Sequence, residues 1–414
     1  MKEPEQLHLT DRVKVFSTKN YKIHREEPKM NMDLSEEQRI IQDTARNFAK
    51  TELEPLAAKL DQEGDREAFL ANLRKLAGLG LMAINVSGEY GGSEAGAVAF
   101  SLAVTEISKA CAATGATTAV NNMVCEVIQA IGSEKQKNAY IPKIASGEYY
   151  AGSFGLTEAA AGSDPAGMRC SAVLDGNAWI LNGSKMFITS AEYAGVFVVW
   201  AVTDRKARKG KGISTFLVEH GTKGFTVGRA EQKMGQHASS TNEIVFEDCR
   251  VPKDALMGKQ NDGFRTAVAE LAGGRIGIGS QGLGIGQAAI EYAAKYALER
   301  QQFSHPIADF QAIQWMIAES YTELEAARLL LMNAAYLKEK GRNFGRQASM
   351  AKYFATEAAD RACHNALQIM GGYGYTTEFP VERYYRDVRP TLIYEGTSQI
   401  QRVIIARDIL ASLK

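Results

Sequence analysis

Gly277-Ile-Gly279-Ser-Gln-Gly282 can be read in two ways, and the choice decides the fold. With Glu299 downstream at about the distance of a ribose-binding acid, it matches the G-x-G-x-x-G dinucleotide fingerprint. That fingerprint needs a strand immediately before it, inside a βαβ unit. Here the preceding residues, Phe264-Arg-Thr-Ala-Val-Ala-Glu-Leu-Ala-Gly273, are helix-like, and the pattern stays helical through Gly284 and Gly286 into Ala288-Ala289. We therefore read one helix whose small residues let a second helix approach closely, and reject nicotinamide binding at this point.

Around this segment, helical sequence dominates from about Asn261 to the C-terminus. Phe310, Ile313, Ile317, Tyr321, Leu324 and Leu331 keep helical spacing, and Leu329 to Met332 is apolar all round, which suits a helix packed on several sides. Breaks near Gln302 to Pro306, Gly341 to Asn343 and Gly371 to Pro380 divide the region into about four helices. Between Tyr149 and Gly258 the period shortens. Cys170 to Leu174 and Ala178 to Leu181 flank the hairpin signal Asp175-Gly176-Asn177, and Val196 to Val202, Ile213 to Val218, Phe225 to Arg229 and Glu243 to Phe246 read as further strands. Before Gly147 the pattern is helical again. It opens on the capping-box sequence Ser35-Glu-Glu-Gln38, which predicts a helix to about Thr51, and has a second cap at Ser133.

The fold class expected is α+β. An N-terminal extension (1–31) precedes an N-terminal α-helical domain (32–148), a middle β-barrel-like domain (149–258) and a C-terminal four-helix bundle (259–414).

Composition narrows the function. Lys plus Arg and Asp plus Glu both number 48, so no global field favours nucleic acid or an anionic membrane. The longest apolar strand-like run, Val196 to Val202, is far too short to span a bilayer. Cys111, Cys125, Cys170, Cys249 and Cys363 form no C-x-x-C pair and have no nearby His, a pattern of reduced thiols rather than structural zinc, so no metal is expected. The N-terminus has no apolar core of a signal peptide, and Glu3, Glu5 and Asp11 are foreign to mitochondrial transit peptides. This favours a cytoplasmic (bacterial) protein over a mitochondrial matrix one. Translation from Met30 or Met32 is the plain alternative for the extension.

Three clusters carry candidate chemistry. Gly155-Leu156-Thr157-Glu158 to Gly162-Ser163-Asp164 and Gly167 offers amides and hydroxyls in a turn, which can hold a ring edge or phosphate without net positive charge. Gln368-Ile-Met-Gly371-Gly372 to Glu378, with Arg383 and Asp387, is a glycine turn between helices, and on its own could be only a helix C-cap. In Tyr394-Glu395-Gly396-Thr397-Ser398-Gln399, Thr397 or Ser398 is an N-cap candidate, and the plain reading of Glu395 is a solvated acid favoured by the helix dipole.

Together, and in this order, the three clusters resemble the acyl-CoA dehydrogenase family, over nearly the whole chain from about Met32. Gly274-Arg275-Ile276-Gly277 and the C-terminal third look closest to the short-chain and medium-chain branch. The resemblance implies an enzyme with non-covalent FAD that oxidises an acyl-CoA thioester to its trans-2-enoyl form. Glu395 matches the base that removes the α-proton while a β-hydride moves to flavin N5. Phe154, Leu156, Thr157, Phe187 and Thr189 match positions lining the flavin, with Phe187 standing where many relatives have Trp. Gln368, Gly371, Gly372, Thr397 and Gln399 match further cofactor contacts. Arg300, Phe303 and Gln311 match positions that reach the dinucleotide of a neighbouring subunit, which implies a homotetramer. Ser163, Arg275 and Gly396 match substrate positions. Where relatives commonly carry an Asp that contacts CoA, this chain has Ala272 followed by Gly273 and Gly274; the small residues suggest an acyl pocket wide enough for branched or alicyclic groups. The implied partners are an acyl-CoA ester and electron-transferring flavoprotein, without nucleic acid or membrane insertion. Alternatives within the family are a glutaryl-CoA-type dehydrogenase and an enoyl-CoA reductase; outside it, a catalytically silent scaffold, which retention of Glu395 disfavours.

Overall fold

Ser133 illustrates how the N-terminal helices start. Its Oγ accepts from the Gln136 backbone at 3.3 Å while Gln136 Oε1 accepts from the Ser133 backbone at 2.8 Å, so two orphan amides are satisfied together. The computed structural model describes residues 33–414, and the extension read over 1–31 lies outside the described residues. The helices before the sheet are α1 (Glu36–Phe48), α2 (Ala57–Gln62), α3 (Arg66–Gly78), α4 (Gly96–Ala110), α5 (Ala112–Ile131) and α6 (Glu134–Ala145). Helix α1 begins directly after Ser35, and a wider turn over Ala49–Leu53 follows it before Pro55. Helices α4 and α5 are buried along nearly their whole length.

The middle segment contains β1 (Ala151–Gly155), β2 (Ser171–Asp175), β3 (Ala178–Thr189), β4 (Ala194–Val202), β5 (Ile213–Glu219), β6 (Phe225–Ala230), β7 (Thr241–Pro252) and β8 (Leu256–Met257). They form one sheet in the order β6-β7-β3-β2-β4-β5-β8, with β1 parallel to β4. Among the described residues the β6 and β8 edges do not pair, so the barrel-like sheet is open and mixed rather than closed. The predicted strands are present, but β3 and β7 are twelve residues each because register shifts at Leu181/Gly183 and Lys185/Ile188 bend the pair without ending it. β1 escaped the sequence reading: Ala-Gly-Ser-Phe-Gly has no alternation and is held by its parallel partner.

The third region comprises α7 (Gly263–Glu299), a two-residue hairpin of β9 (Gln301–Gln302) and β10 (His305–Pro306), α8 (Gln311–Glu339), α9 (Gly345–Met370), α10 (Val381–Val388) and α11 (Ser398–Ser412). Three long helices thus carry two short ones, because Pro390 and the Glu395-Gly396 turn divide the chain beyond Pro380 in two. The glycine segment is uninterrupted helix. A Cβ on Gly279 would stand 3.3 Å from Lys352 Cα, and one on Gly286 would stand 2.9 Å from Ala359 Cα, so the glycines set the close approach of α7 and α9. One on Gly284 would lie 2.3 Å from the Thr105 carbonyl of α4.

Candidate active site

Two consecutive left-handed residues precede α11. Gly396 (φ 91°) adopts this conformation freely, whereas Glu395 (φ 54°) does so at a cost of roughly 1–2 kcal/mol, which its surroundings must offset. Three polar anchors hold the turn. Gln401 Nε2 donates to the carbonyls of Glu395 and Gly396, both at 3.0 Å. Lys352 Nζ donates to the Gly396 carbonyl at 2.9 Å, and Thr397 Oγ1 caps α11 by accepting from Ile400 N. One residue earlier, Tyr394 donates its hydroxyl proton to Gln281 Oε1 on α7 and accepts from Gln236 Nε2 at 3.2 Å. Thr397, not Ser398, is therefore the cap.

The Glu395 carboxyl is not the solvated acid of the plain reading. Its Oε2 is buried without a hydrogen-bond partner. It points at α7, where a Cβ on Gly274 would lie 2.9 Å from Oε2 and 2.8 Å from Met123 Sδ. Desolvation drives its pKa up to about 7, against the opposing pull of Arg275 and then Lys352. Arg275 is buried next to Gly274; its Nη1 reaches Ser349 Oγ of α9 at 3.3 Å, and its Nε is buried without a partner. Lys352 is fully buried, and desolvation lowers its pKa to about 8 although Glu395 opposes the shift. A carboxylate, two cations and two unpartnered polar atoms thus meet at one spot. Of the residues singled out from sequence, this group contains Glu395, Gly396, Arg275 and Thr397. Sequence reasoning missed Lys352, Ser349 and Gln401; the available signal was a lysine on a helix face otherwise made of Ala348, Ser349, Ala355, Thr356 and Ala359.

The turn that starts at Gly155 is braced from beneath. Glu158 accepts from the backbones of Arg169 (2.6 Å) and Cys170 (2.9 Å) and from Lys185 Nζ (2.8 Å), which also donates to the Leu156 carbonyl at 3.2 Å. Lys185 is completely buried, so this ion pair fixes the backbone of Leu156 and Thr157. Phe154 packs on Trp200 with ring centroids 4.4 Å apart. Phe187 is 62% exposed at a φ of 59°, and Thr189 is half-buried on the same strand. An apolar ring held open to solvent by a strained backbone, next to fixed amides, fits the face and edge of an isoalloxazine. Ser163 is exposed at the tip of the turn.

Arg300, Gly371 and Gly372 line a cavity of about 550 Å3 together with Gln302, Ile307 and Tyr373. Arg300 lies over the Tyr373 ring at 5.6 Å, and neither Gly371 nor Gly372 has an atom within 4 Å of where a Cβ would sit. Phe303 is 87% exposed, and Gln311, Gln368 and Gln399 are exposed as well. A cationic, glycine-floored hollow of this kind fits a phosphate-bearing group.

Ala272, Gly273 and Gly274 do not simply open the acyl region. The room beside Gly274 is taken by Met123, and a Cβ on Gly273 would lie 3.0 Å from Lys338 Nζ, which is paired with Glu126. Glu270, one turn before Gly274, is raised to about 7 by burial and by Glu126.

Comparison with known proteins matches this arrangement to three successive family descriptions: acyl-CoA dehydrogenase N-terminal domain over residues 35–148, middle domain over 153–249 and C-terminal domain over 261–410. Acryloyl-CoA reductase (NADH) of Anaerotignum propionicum is 44% identical over 94% of this chain and 98% of its own. The human mitochondrial short-chain specific acyl-CoA dehydrogenase is 45% identical over 93% and 92%. The solved butyryl-CoA dehydrogenase of Megasphaera elsdenii superposes with a TM-score of 0.89 at 37% identity, covering 92% of this chain and all of that one. The chain belongs to the acyl-CoA dehydrogenase family of FAD-dependent oxidoreductases.

Proposed function

We infer that this enzyme carries out α,β-dehydrogenation of a short acyl-CoA thioester with Glu395 as the base. The observation that carries the reading is the buried, unpartnered Oε2 of Glu395, facing a helix position that has no side chain. A carboxylate in water is too weak a base for a carbon acid. Out of water its affinity for the proton rises, which narrows the gap to the substrate α-carbon. When bound, FAD supplies the two-electron acceptor for the β-hydrogen. The protein's own task is to seat the thioester so that its α-proton meets Oε2. Negative charge then moves from the carboxylate to the thioester oxygen, while Arg275 and Lys352, whose charges oppose the rise in the Glu395 pKa, keep the carboxylate available in its ionised form for the step.

The residues proposed to face the flavin are Phe154, Leu156, Thr157, Phe187 and Thr189, with Thr397 and Gln399. Arg300, Phe303, Gln311, Gln368, Gly371 and Gly372 are proposed to hold the dinucleotide across a subunit contact, which makes a homotetramer the proposed assembly. Arg275, Gly396 and Ser163 are assigned to the thioester and its CoA arm. Electron-transferring flavoprotein is the proposed acceptor, and the cytoplasm the proposed compartment. Because Met123 and the Lys338–Glu126 pair fill the space beside the glycines, we favour small straight acyl groups over alicyclic ones.

A second reading, reduction of an enoyl-CoA, is favoured by one feature. With its pKa near 7, Glu395 populates both acid and base forms at neutral pH and can deliver as well as remove the α-proton. Anaerobic titration of the flavoprotein with straight, branched, alicyclic and dicarboxylic acyl-CoA esters tests both. Bleaching of the flavin band by a short straight ester supports dehydrogenation. Reoxidation of pre-reduced enzyme by the enoyl ester, with little bleaching by the saturated one, supports the reductive direction, and no response to either ester defeats both.

A further inference from the structure

Lys352 is a fully buried charge for which the sequence offered no role. The α7–α9 glycine seam places it beneath the catalytic turn, with Gly279 close against its Cα. Its ammonium donates to a neutral acceptor, the Gly396 carbonyl, although burying an ammonium without an ion-pair partner costs several kcal/mol. We propose that Lys352 is a positioning residue for the base: its ammonium locks the left-handed Glu395-Gly396 turn and keeps a fixed positive charge behind the carboxylate throughout proton transfer. The inference rests on the reading of Glu395 as the base.

Charge balance supports the assignment. Before transfer the site holds one carboxylate and two cations, Arg275 from α7 and Lys352 from α9. Tyr394 is the ionisable neighbour of Glu395 within the catalytic turn, and Glu357 stands further along α9. In the transfer the substrate C–H bond breaks, an O–H bond forms on Glu395, and the electron pair left behind spreads onto the thioester oxygen. Lys352 exchanges no proton in this step, and its charge acts on the Glu395 carboxyl, whose proton affinity it lowers. Burial lowers the Lys352 pKa to about 8, so the reaction is expected to lose rate on the alkaline side as that charge is removed.

The test is the pH profile of anaerobic flavin reduction by the best ester, in the wild type, Lys352→Met and Lys352→Arg, all as flavin-loaded enzyme. Loss of the charge should raise the acid-limb midpoint by about one unit and slow reduction about tenfold or more near neutrality. Arg should restore the acid limb and abolish the alkaline fall, since guanidinium does not titrate in that range. A Met profile with wild-type midpoints overturns the proposal. So does an Arg variant that keeps the alkaline fall, a result readable even if Lys352→Met does not fold. A wild type that no ester reduces, and that no enoyl ester reoxidises, defeats the functional reading itself and this inference with it.

Discussion

Oε2 of Glu395 lies 2.9 Å from the point that a Cβ on Gly274 would occupy. The contact is between a helix of the bundle and a turn more than a hundred residues later. Gly274→Ala is therefore expected to push the carboxyl aside. Its closest neighbours, Glu395 Oε2 and Met123 Sδ, are the ends of flexible side chains, so stability should change by less than about 1 kcal/mol. Flavin reduction should nonetheless fall about 100-fold, because misplacement by an ångström is costly to a reacting pair. Thermal unfolding and single-turnover reduction, measured together, check the split; equal losses in both would refute it.

Glu395→Gln keeps the size of the side chain and removes the proposed base. The variant should still bind flavin and CoA esters, yet reduce the flavin about 100-fold to 10,000-fold more slowly. Near-normal reduction would mean that another group takes the proton.

The pH dependence has a definite sign. As the proposed base, Glu395 must be ionised to take the α-proton, so flavin reduction should rise through about pH 7. Its folded pKa lies above the ordinary 4.5, so the folded state holds the proton more tightly than the unfolded chain. Its stabilising contribution is complete below about pH 4.5 and is lost as pH rises through about 7. At pH 8, Glu395→Gln should then be more stable than the wild type, by up to about 3 kcal/mol. Denaturant melts of the flavin-free proteins at pH 5 and pH 8 would show whether the gain is confined to the higher pH.

Glu158→Ala strands the ammonium of Lys185 in the sheet interior and frees the backbone of Leu156 and Thr157. Breaking a buried pair on one side costs about 3–5 kcal/mol. Weaker flavin retention on gel filtration and a lower Tm are expected together, and Lys185→Met in the same background should recover part of the Tm.

Gly284→Ala improves helix propensity by about 1 kcal/mol, but its Cβ would stand 2.3 Å from the Thr105 carbonyl, part of a backbone that cannot yield cheaply. A net loss of about 1–3 kcal/mol is expected in chemical denaturation. A gain would show that the α4–α7 contact is looser than the packing indicates.

Much of this architecture was legible because it is local. Apolar spacing marked the long helices, Asp175-Gly176-Asn177 marked the hairpin, and the absence of a strand before Gly277 turned a dinucleotide motif into a packing seam. β1 was missed because a small-residue strand carries no period of its own, and the fifth C-terminal helix because a single proline and a left-handed turn divide one apparent segment. Glu395 was picked out by resemblance and a permissive glycine. That its Oε2 is out of water follows from α7 closing over it, which no neighbouring residue in sequence reports.

Residue order alone was enough to establish the succession of helical, sheet and helical segments, the glycine seam and the family, since these depend on periodicity and on motifs read along the chain. The convergence of Lys352, Arg275 and Ser349 on Glu395, and the filling by Met123 and Lys338 of the room left by two glycines, came only with the packed fold. Desolvation and the fields of buried charges depend on distances between segments far apart in sequence, so they arise when the helices pack.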